Sequence, residues 1–355
     1  MRIEPGGTIG IIGGGQLGRM LAVAAAQLGY RCHAFAPDAD PPTASVCAIF
    51  TRAAYGDVDS LRAFADAVDV ATYEFENIPA AALQAIGAKL RPGVDSLKIG
   101  QDRATEKEFI ERSGGRVSKW LTVDCEADAS SAEAKLGLPL VLKTRRLGYD
   151  GKGQAWANAA GSAVAAWDSI GRQSAVAEAR VDFEAEYSVI LARTQDGEVA
   201  AWDPPLNQHL DGILRRSSVP AGAIVEAQRD EAVRIATAIA QALGHIGVLT
   251  VEFFACADGP MVNEIAPRVH NSGHWTIEGS ATSQFEQHIR AVCGLPLGST
   301  RRITASASMD NLLGDDVDDW LALVAEPGAH VHIYGKGKPR PGRKMGHVTR
   351  LGDEK

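Results

Sequence analysis

A chain of 355 residues with 45% hydrophobic and 23% charged content has the composition of an ordinary globular protein, long enough for two or three domains with a cleft between them. Its 36 basic and 44 acidic side chains leave a net charge of −8, which argues against general affinity for nucleic acid or an anionic membrane. No apolar run approaches the roughly 18 residues of a membrane span, and MRIEPGG lacks the basic-then-apolar order of a secretory leader, so a cytoplasmic location is expected.

The first predicted element is an apolar strand, Ile9 to Ile12, which runs into the glycine loop GIIGGGQLGRM at 10 to 20. Gly13, Gly15 and Gly18 stand in G-x-G-x-x-G spacing, and Asp38 follows where a ribose-binding carboxylate would stand, so the stretch satisfies a dinucleotide fingerprint. Leu17, Met20, Leu21, Ala24, Ala25 and Leu28 then repeat with helical period, and Gly29 stops them. Strand-like runs at Cys32 to Ala36 and Val70 to Phe75 enclose a helical stretch from Ser60 to Val68. This alternation predicts a parallel α/β domain over 1–100, with ligands beyond the carboxyl ends of its strands.

Gln101 to Arg112 reads as a linking helix into a second unit, 101–295. There the apolar strand Leu138 to Leu142 ends at Lys143 and leads into a second glycine loop, TRRLGYDGKGQ. Gly148, Gly151 and Gly153 would let backbone N–H groups close over a polyphosphate, and Lys143 and Lys152 add positive charge; the alternative is a solvated hairpin. It matches neither a P-loop nor the Rossmann turn, so two glycine loops point to two phosphorylated ligands. A strong helix carries Ala232, Ile235, Ala236, Ile239, Ala240 and Leu243 on one stripe before Gly244.

The stretch VLTVEFFACADGPMVNEIAPRVHNSGHWT, 248 to 276, predicts a hairpin. A turn at Ala257 to Gly259 pairs Cys256 with Pro260 and so sets Glu252 opposite Glu264. Facing carboxylates repel unless a cation lies between them, and hard oxygen ligands on strands suit Mg²⁺ shared with nucleotide phosphates. The alternative puts one glutamate on the other face of the sheet. Asn263 adds an oxygen donor, and Arg268, His270, Asn271 and His274 follow as a platform for a small anion and a polar substrate. The last part, 296–355, is predicted to be β-rich, and its basic run YGKGKPRPGRKMGH reads either as a disordered tail or as turns that aim cations at one phosphate. Five scattered cysteines without C-x-x-C suggest neither a disulfide framework nor a zinc site.

EFEN (74 to 77), QDR (101 to 103), GYDGKGQ (148 to 154), NEIAPRVHNSGHWT (263 to 276) and RPGRKMGH (340 to 347), in this order, resemble the N5-carboxyaminoimidazole ribonucleotide synthetases, ATP-grasp carboxylases of purine biosynthesis. The resemblance implies a mixed α/β and α+β architecture. An N-terminal parallel α/β (pre-ATP-grasp) domain precedes a two-lobed ATP-grasp domain and a small C-terminal β-rich domain. The implied reaction joins bicarbonate to the exocyclic amine of 5-aminoimidazole ribonucleotide, converts ATP to ADP and phosphate, and passes through carboxyphosphate.

On that resemblance the first loop serves the ribonucleotide and not NAD, through Gln16 and Leu17, with Glu76, Asn271, Lys336, Arg343 and Lys344 completing the pocket. ATP would be held by Arg103, Lys143, the loop Gly148, Tyr149, Asp150, Gly151, Lys152, Gly153 and Gln154, and by Glu178, Val181, Glu186, His209, Asn263 and Glu264. Two Mg²⁺ ions would rest on Glu252 and Glu264. Arg268 and His270 would hold bicarbonate, while Tyr149, Asp150 and Lys336 take part in catalysis. A homodimer is expected, as is functional coupling to the carboxymutase that uses the product. Leu147 and Leu206 depart from the pattern, the first standing where glycine is frequent and the second where an acid is. The rivals are a formate-dependent ATP-grasp transformylase acting on glycinamide ribonucleotide and, more remotely, an NAD-dependent dehydrogenase.

Overall fold

In the computed structural model, which describes residues 2–148 and 152–352, three sheets carry the chain. The first contains β1 (Thr8–Ile12), β2 (Arg31–Ala36), β3 (Ile49–Arg52) and β4 (Val70–Tyr73), all parallel, in the order β3-β2-β1-β4. The helix Gln16–Gln27 buries Leu17, Met20, Leu21, Ala24 and Ala25, the stripe that its period predicts. It gives way to Gly29 at a φ of +81°, which a side chain would resist. The next helix spans Val58–Asp66, two residues earlier than the apolar pattern suggests, because Asp57 caps it by accepting a hydrogen bond from the Ser60 amide at 3.1 Å.

The second sheet holds β5 (Trp120–Val123), β6 (Leu140–Thr144), β7 (Gln154–Ala157) and β8 (Ala175–Ala179), antiparallel in the order β5-β8-β6-β7. Pro139 can donate nothing to a ladder, so β6 begins two residues later than the apolar run and contains Lys143.

The third sheet has nine strands: β9 (Ala185–Arg193), β10 (Val199–Ala201), β11 (Leu206–Leu210), β12 (Ile213–Val219), β13 (Gly247–Cys256), β14 (Gly259–Ala266), β15 (Ser306–Leu313), β16 (Ala329–Ile333) and β17 (Lys344–Gly352). Their order is β14-β13-β9-β11-β12-β15-β17-β16, with β10 paired to β9. The last three strands join through the β12/β15 pairing, so the 296–355 segment extends the central sheet and does not build one of its own. The helix Ala223–Ala242 lays Val225, Ala232, Ile235, Ala236, Ile239 and Ala240 into the core over β9 and β13. Its first turns, outside the predicted stripe, begin at Ala223.

The helix Gln284–Val292 packs against β9 and β13 on one side and the helix Gln16–Gln27 on the other. His288 on it bonds Thr72 of β4 (Nε2 to Oγ1, 2.8 Å) and accepts from the Val248 amide (3.0 Å). These contacts fix the carboxyl end of the first sheet against the third, where the site residues gather.

Candidate active site

The first glycine loop is already occupied. Glu74, the residue after β4, points its carboxylate into the start of the helix Gln16–Gln27: Oε1 accepts from the Gly15 amide at 2.7 Å and Oε2 from the Gly18 amide at 3.3 Å. A pyrophosphate would need those same N–H groups. The fingerprint is thus satisfied by a carboxylate from the chain itself, which answers against the dinucleotide reading. Leu17 is buried in the core, while Gln16 is half-buried.

Two residues further on, Glu76 accepts a hydrogen bond from Arg268 Nε at 2.5 Å. Burial raises the Glu76 carboxyl, but Arg268 outweighs it and holds the group below its usual range. The Gln101 amide donates to Glu76 O and Ile78 O, each at 2.6 Å. Asp102 caps the helix Arg103–Arg112 and accepts from Arg145 (Nη2 to Oδ1, 2.9 Å) and Arg146 (Nε to Oδ2, 3.2 Å) at the base of the second glycine loop. Arg103 reaches Glu264, Nη1 to Oε2, at 3.3 Å. The QDR motif therefore ties the EFEN segment, the second glycine loop and the β13/β14 hairpin together, whereas the sequence reading singled out only Arg103 of the three, and for contact with ATP.

In that hairpin Glu252 stands opposite Glu264, as expected, but by another route. Cys256 pairs with Gly259 and not with Pro260, and a bulge at Asn263 restores the level of the two glutamates. Burial first, then the Glu264 charge, pushes the Glu252 carboxyl up to about 7. His270 Nε2 lies 3.3 Å from Glu252 Oε1. Burial, assisted by Arg268 and Lys344, holds His270 well below its ordinary pKa and hence neutral. The Ser272 amide donates to its Nδ1 at 3.3 Å, which assigns the ring proton to Nε2, facing Glu252. Behind it runs a buried chain: Ser272 Oγ to Ser188 Oγ at 3.0 Å, Asn207 Nδ2 to Ser188 Oγ at 2.6 Å, and Ser217 Oγ to Asn207 Oδ1 at 2.8 Å.

Facing the hairpin is a cluster of cations. Glu178 Oε2 receives Lys143 Nζ and Lys107 Nζ, both at 3.2 Å, and Ser118 Oγ at 3.1 Å. Burial would raise Glu178, yet Lys143, Lys107 and Arg103 hold it at about 2. Lys143 moves down from its ordinary value, by burial and by crowding from Arg103 and Lys107, despite Glu178. One carboxylate serves the two lysines while Arg103 turns to Glu264, so the lysine pair carries more positive than negative charge. Lys107 was missed in the sequence, although it lies one turn after Arg103 on the same helix.

Gly148 lies beside Arg103, since a Cβ there would come 3.6 Å from Arg103 Nη2. At Gly153 (φ +72°) a Cβ would meet Thr144 Oγ1 at 2.6 Å, which accounts for glycine. Lys152 is exposed, and Gln154 pairs with Lys143 across β6 and β7. Tyr149, Asp150 and Gly151 lie outside the described residues. On the third sheet His209 Nδ1 sits 2.7 Å from Glu186 Oε2; burial opposes its protonation, but the Glu186 carboxylate raises the ring's pKa. Val181 is half-buried in the connection from β8 to β9.

From the last strands, Lys336 lies 5.5 Å from the Tyr334 ring, and its charge acts on Glu74. Lys344 opens β17 and its charge acts on His209 and His270. Arg343 precedes it, half-buried. Asn271 is buried and exchanges two hydrogen bonds with Asn311 (2.9 and 2.7 Å). That pairing leaves one Nδ2 proton of Asn271 for any other partner.

Three family models cover these parts: a ribonucleotide synthetase preATP-grasp domain over 7–101, an ATP-grasp domain over 108–285, and a phosphoribosylaminoimidazole carboxylase C-terminal domain over 307–355. The N5-carboxyaminoimidazole ribonucleotide synthase of Brucella melitensis biotype 1 is 48% identical over 355 residues, spanning 98% of this chain and 97% of that protein. The chain belongs to the N5-carboxyaminoimidazole ribonucleotide synthase family. A crystal structure of such a synthetase in complex with ADP superposes with a TM-score of 0.95 at 42% identity, covering 99% of this chain and 94% of that one. Another, from Aspergillus clavatus in complex with ADP and 5-aminoimidazole ribonucleotide, gives 0.91 at 29% identity, with 98% and 94% covered. For a member of this synthase family the Glu74-filled loop and the paired glutamates lie within matched domains, as do Lys143 and Glu178, while Arg103 and Lys107 stand in the short join between the first two matches; the C-terminal match separates it from the formate-using rival.

Proposed function

We propose that the chain carboxylates 5-aminoimidazole ribonucleotide with bicarbonate, at the expense of ATP, to give N5-carboxyaminoimidazole ribonucleotide, ADP and phosphate. One observation beyond family membership carries this reading. Lys143 and Lys107 share one carboxylate, Glu178, while Glu252 and Glu264 face each other with Arg103 paired to Glu264 alone, so one group has spare positive charge and the other spare negative charge. A Mg²⁺–nucleotide complex would balance both at once, with phosphate oxygens beside the lysines and the cation beside the glutamates.

The donor set fits Mg²⁺. Among the described residues no three His, Cys, Asp or Glu side chains form a metal cage. Two carboxylates, with Asn263 alongside, suit one or two ions that take their remaining oxygens from water and phosphates. When bound, Mg²⁺ would neutralise the phosphoryl oxygens as they transfer.

The residues divide the work. Lys143, Arg103 and the second glycine loop hold the phosphates, with Glu178, Val181, Glu186 and His209 around the nucleoside. Arg268, anchored by Glu76, and the neutral, Nε2-protonated His270 offer N–H donors to bicarbonate. A bicarbonate oxygen attacks the γ-phosphorus and ADP leaves, giving carboxyphosphate. The amine of the ribonucleotide then attacks the carbon of carboxyphosphate, or the CO₂ formed when its C–O bond to phosphate breaks; in either case phosphate departs with the bonding electron pair and the amine proton passes to Asp150, with Tyr149 and Lys336 as the further catalytic candidates. Lys336, Arg343 and Lys344 would bind the 5′-phosphate, while Gln16, Leu17, Glu76 and Asn271 orient the rest.

The same reading extends to a homodimer in the cytoplasm whose product passes to a carboxymutase, both on family grounds. No helix among the described residues is long and apolar enough to cross a membrane. The test is ADP release with each substrate omitted in turn. Release that requires both the ribonucleotide and bicarbonate supports the proposal. Turnover sustained by formate and glycinamide ribonucleotide contradicts it.

A further inference from the structure

Glu74 has no part in the chemistry above, yet the first glycine loop is built around it. Its two oxygens take the amides of Gly15 and Gly18, and these two anchor points bracket Gln16 and Leu17. The glycines match its shape: a Cβ at Gly13 would collide with Glu74 Cγ, and one at Gly15 would come 2.7 Å from Oε1. Glu74 is 6% exposed, and the charges of Arg268 and Lys336, from two other parts of the chain, act on it.

We propose that Glu74 is a positioning residue for the ribonucleotide: its carboxylate fills the anion seat of the glycine loop and so fixes how Gln16 and Leu17 face the substrate. Removing it leaves the buried Gly18 amide and the Gly15 amide without an acceptor, and the turn between them must move to find one. The same occupancy closes the seat to a dinucleotide pyrophosphate, so Glu74 decides which ligand the fingerprint serves. The inference rests on the placement of the ribonucleotide at this loop.

Steady-state ADP release at saturating bicarbonate gives the KM of each substrate for wild type, Glu74→Gln and Glu74→Ala. Glu74→Gln keeps the size of the side chain but presents an amide nitrogen to one of the two N–H groups. The KM for the ribonucleotide should rise about tenfold or more, equivalent to about 1.4 kcal/mol, while the KM for ATP stays within about twofold. In Glu74→Ala, acetate should lower the raised KM about threefold or more by refilling the seat, and chloride at equal ionic strength should not. An unchanged ribonucleotide KM in Glu74→Gln overturns the proposal, and so does a matching loss for ATP, which marks a general structural role. Arg343→Ala reports on the placement itself. If Arg343→Ala weakens the ribonucleotide and Glu74→Gln does not, only the role of Glu74 falls; if neither does, the placement falls with it.

Discussion

Glu252 faces Glu264 across β13 and β14, and the single-residue bulge at Asn263 is what brings the two carboxylates level. Their mutual repulsion, with burial as the larger contribution, leaves Glu252 near neutrality at about 7. A pair so arranged is set to receive a cation. Glu264→Gln should lower Mg²⁺-dependent turnover by about 10²-fold or more, as loss of a transition-state electrostatic contact does. The ribonucleotide should still bind. Titration calorimetry of the ribonucleotide, beside a Mg²⁺ titration of activity, checks both parts.

Among the described residues Glu178 is the carboxylate ion-paired with Lys107, whose side chain is 2% exposed. Glu178→Gln would leave a buried ammonium without its counter-charge, so a loss of about 3–5 kcal/mol in unfolding free energy is expected. The pH dependence has a defined sign. Folding holds this carboxyl at about 2 against an ordinary 4.5, so its stabilisation is present above 4.5 and fades as pH falls toward 2. Urea melts of both proteins should converge over that range.

His288 ties Thr72 of the first sheet to Val248 of the third, and His245 ties Ser96, on the helix Val94–Gly100, to the same Val248. Burial keeps them neutral, at about 3 and about 4. The unfolded chain therefore binds more protons below 6.5, and stability falls as pH falls. Each histidine contributes about 1.4 kcal/mol per pH unit between 6.5 and its folded value. His288→Gln should be less stable at pH 7 but show a shallower decline from pH 6.5 to 5. Chemical denaturation across that interval measures the slope.

How much of this was legible in the sequence varied with the physics involved. The parallel α/β start was plain from the period-3.6 stripe after Ile9 to Ile12, because buried helices and strands write their periods directly. The glycine spacing was equally plain but ambiguous, since the N–H groups it frees donate to a phosphate or a carboxylate alike. What decides between them is Glu74, 59 residues away from Gly15 in sequence, and no local pattern announces such a contact. The glutamate pairing was reached through the wrong turn, with the bulge at Asn263 making up the one-residue difference. Asp102 and Gln101 were visible as letters of QDR, but their partners, Arg145 and the Glu76 carbonyl, are set by tertiary packing.

The basic run at 334 to 347 is the connection from β16 into β17, with Lys336 near Glu74 and Lys344 near His270. If Arg343 joins them on the 5′-phosphate, Arg343→Ala should weaken the ribonucleotide by about 1.5–3 kcal/mol, or roughly 10- to 150-fold, with ATP unaffected. The dephosphorylated nucleoside should bind wild type and variant about equally poorly. Parallel titrations of nucleotide and nucleoside make the comparison.

In the proposed reaction ATP activates bicarbonate itself. Turnover with ¹⁸O-labelled bicarbonate, stopped before the label exchanges with water, tests this through the oxygen content of the released phosphate. One labelled oxygen per phosphate is expected, because a bicarbonate oxygen becomes the bridge of carboxyphosphate and leaves on phosphorus. Phosphate that carries no label while the ribonucleotide is carboxylated would contradict it.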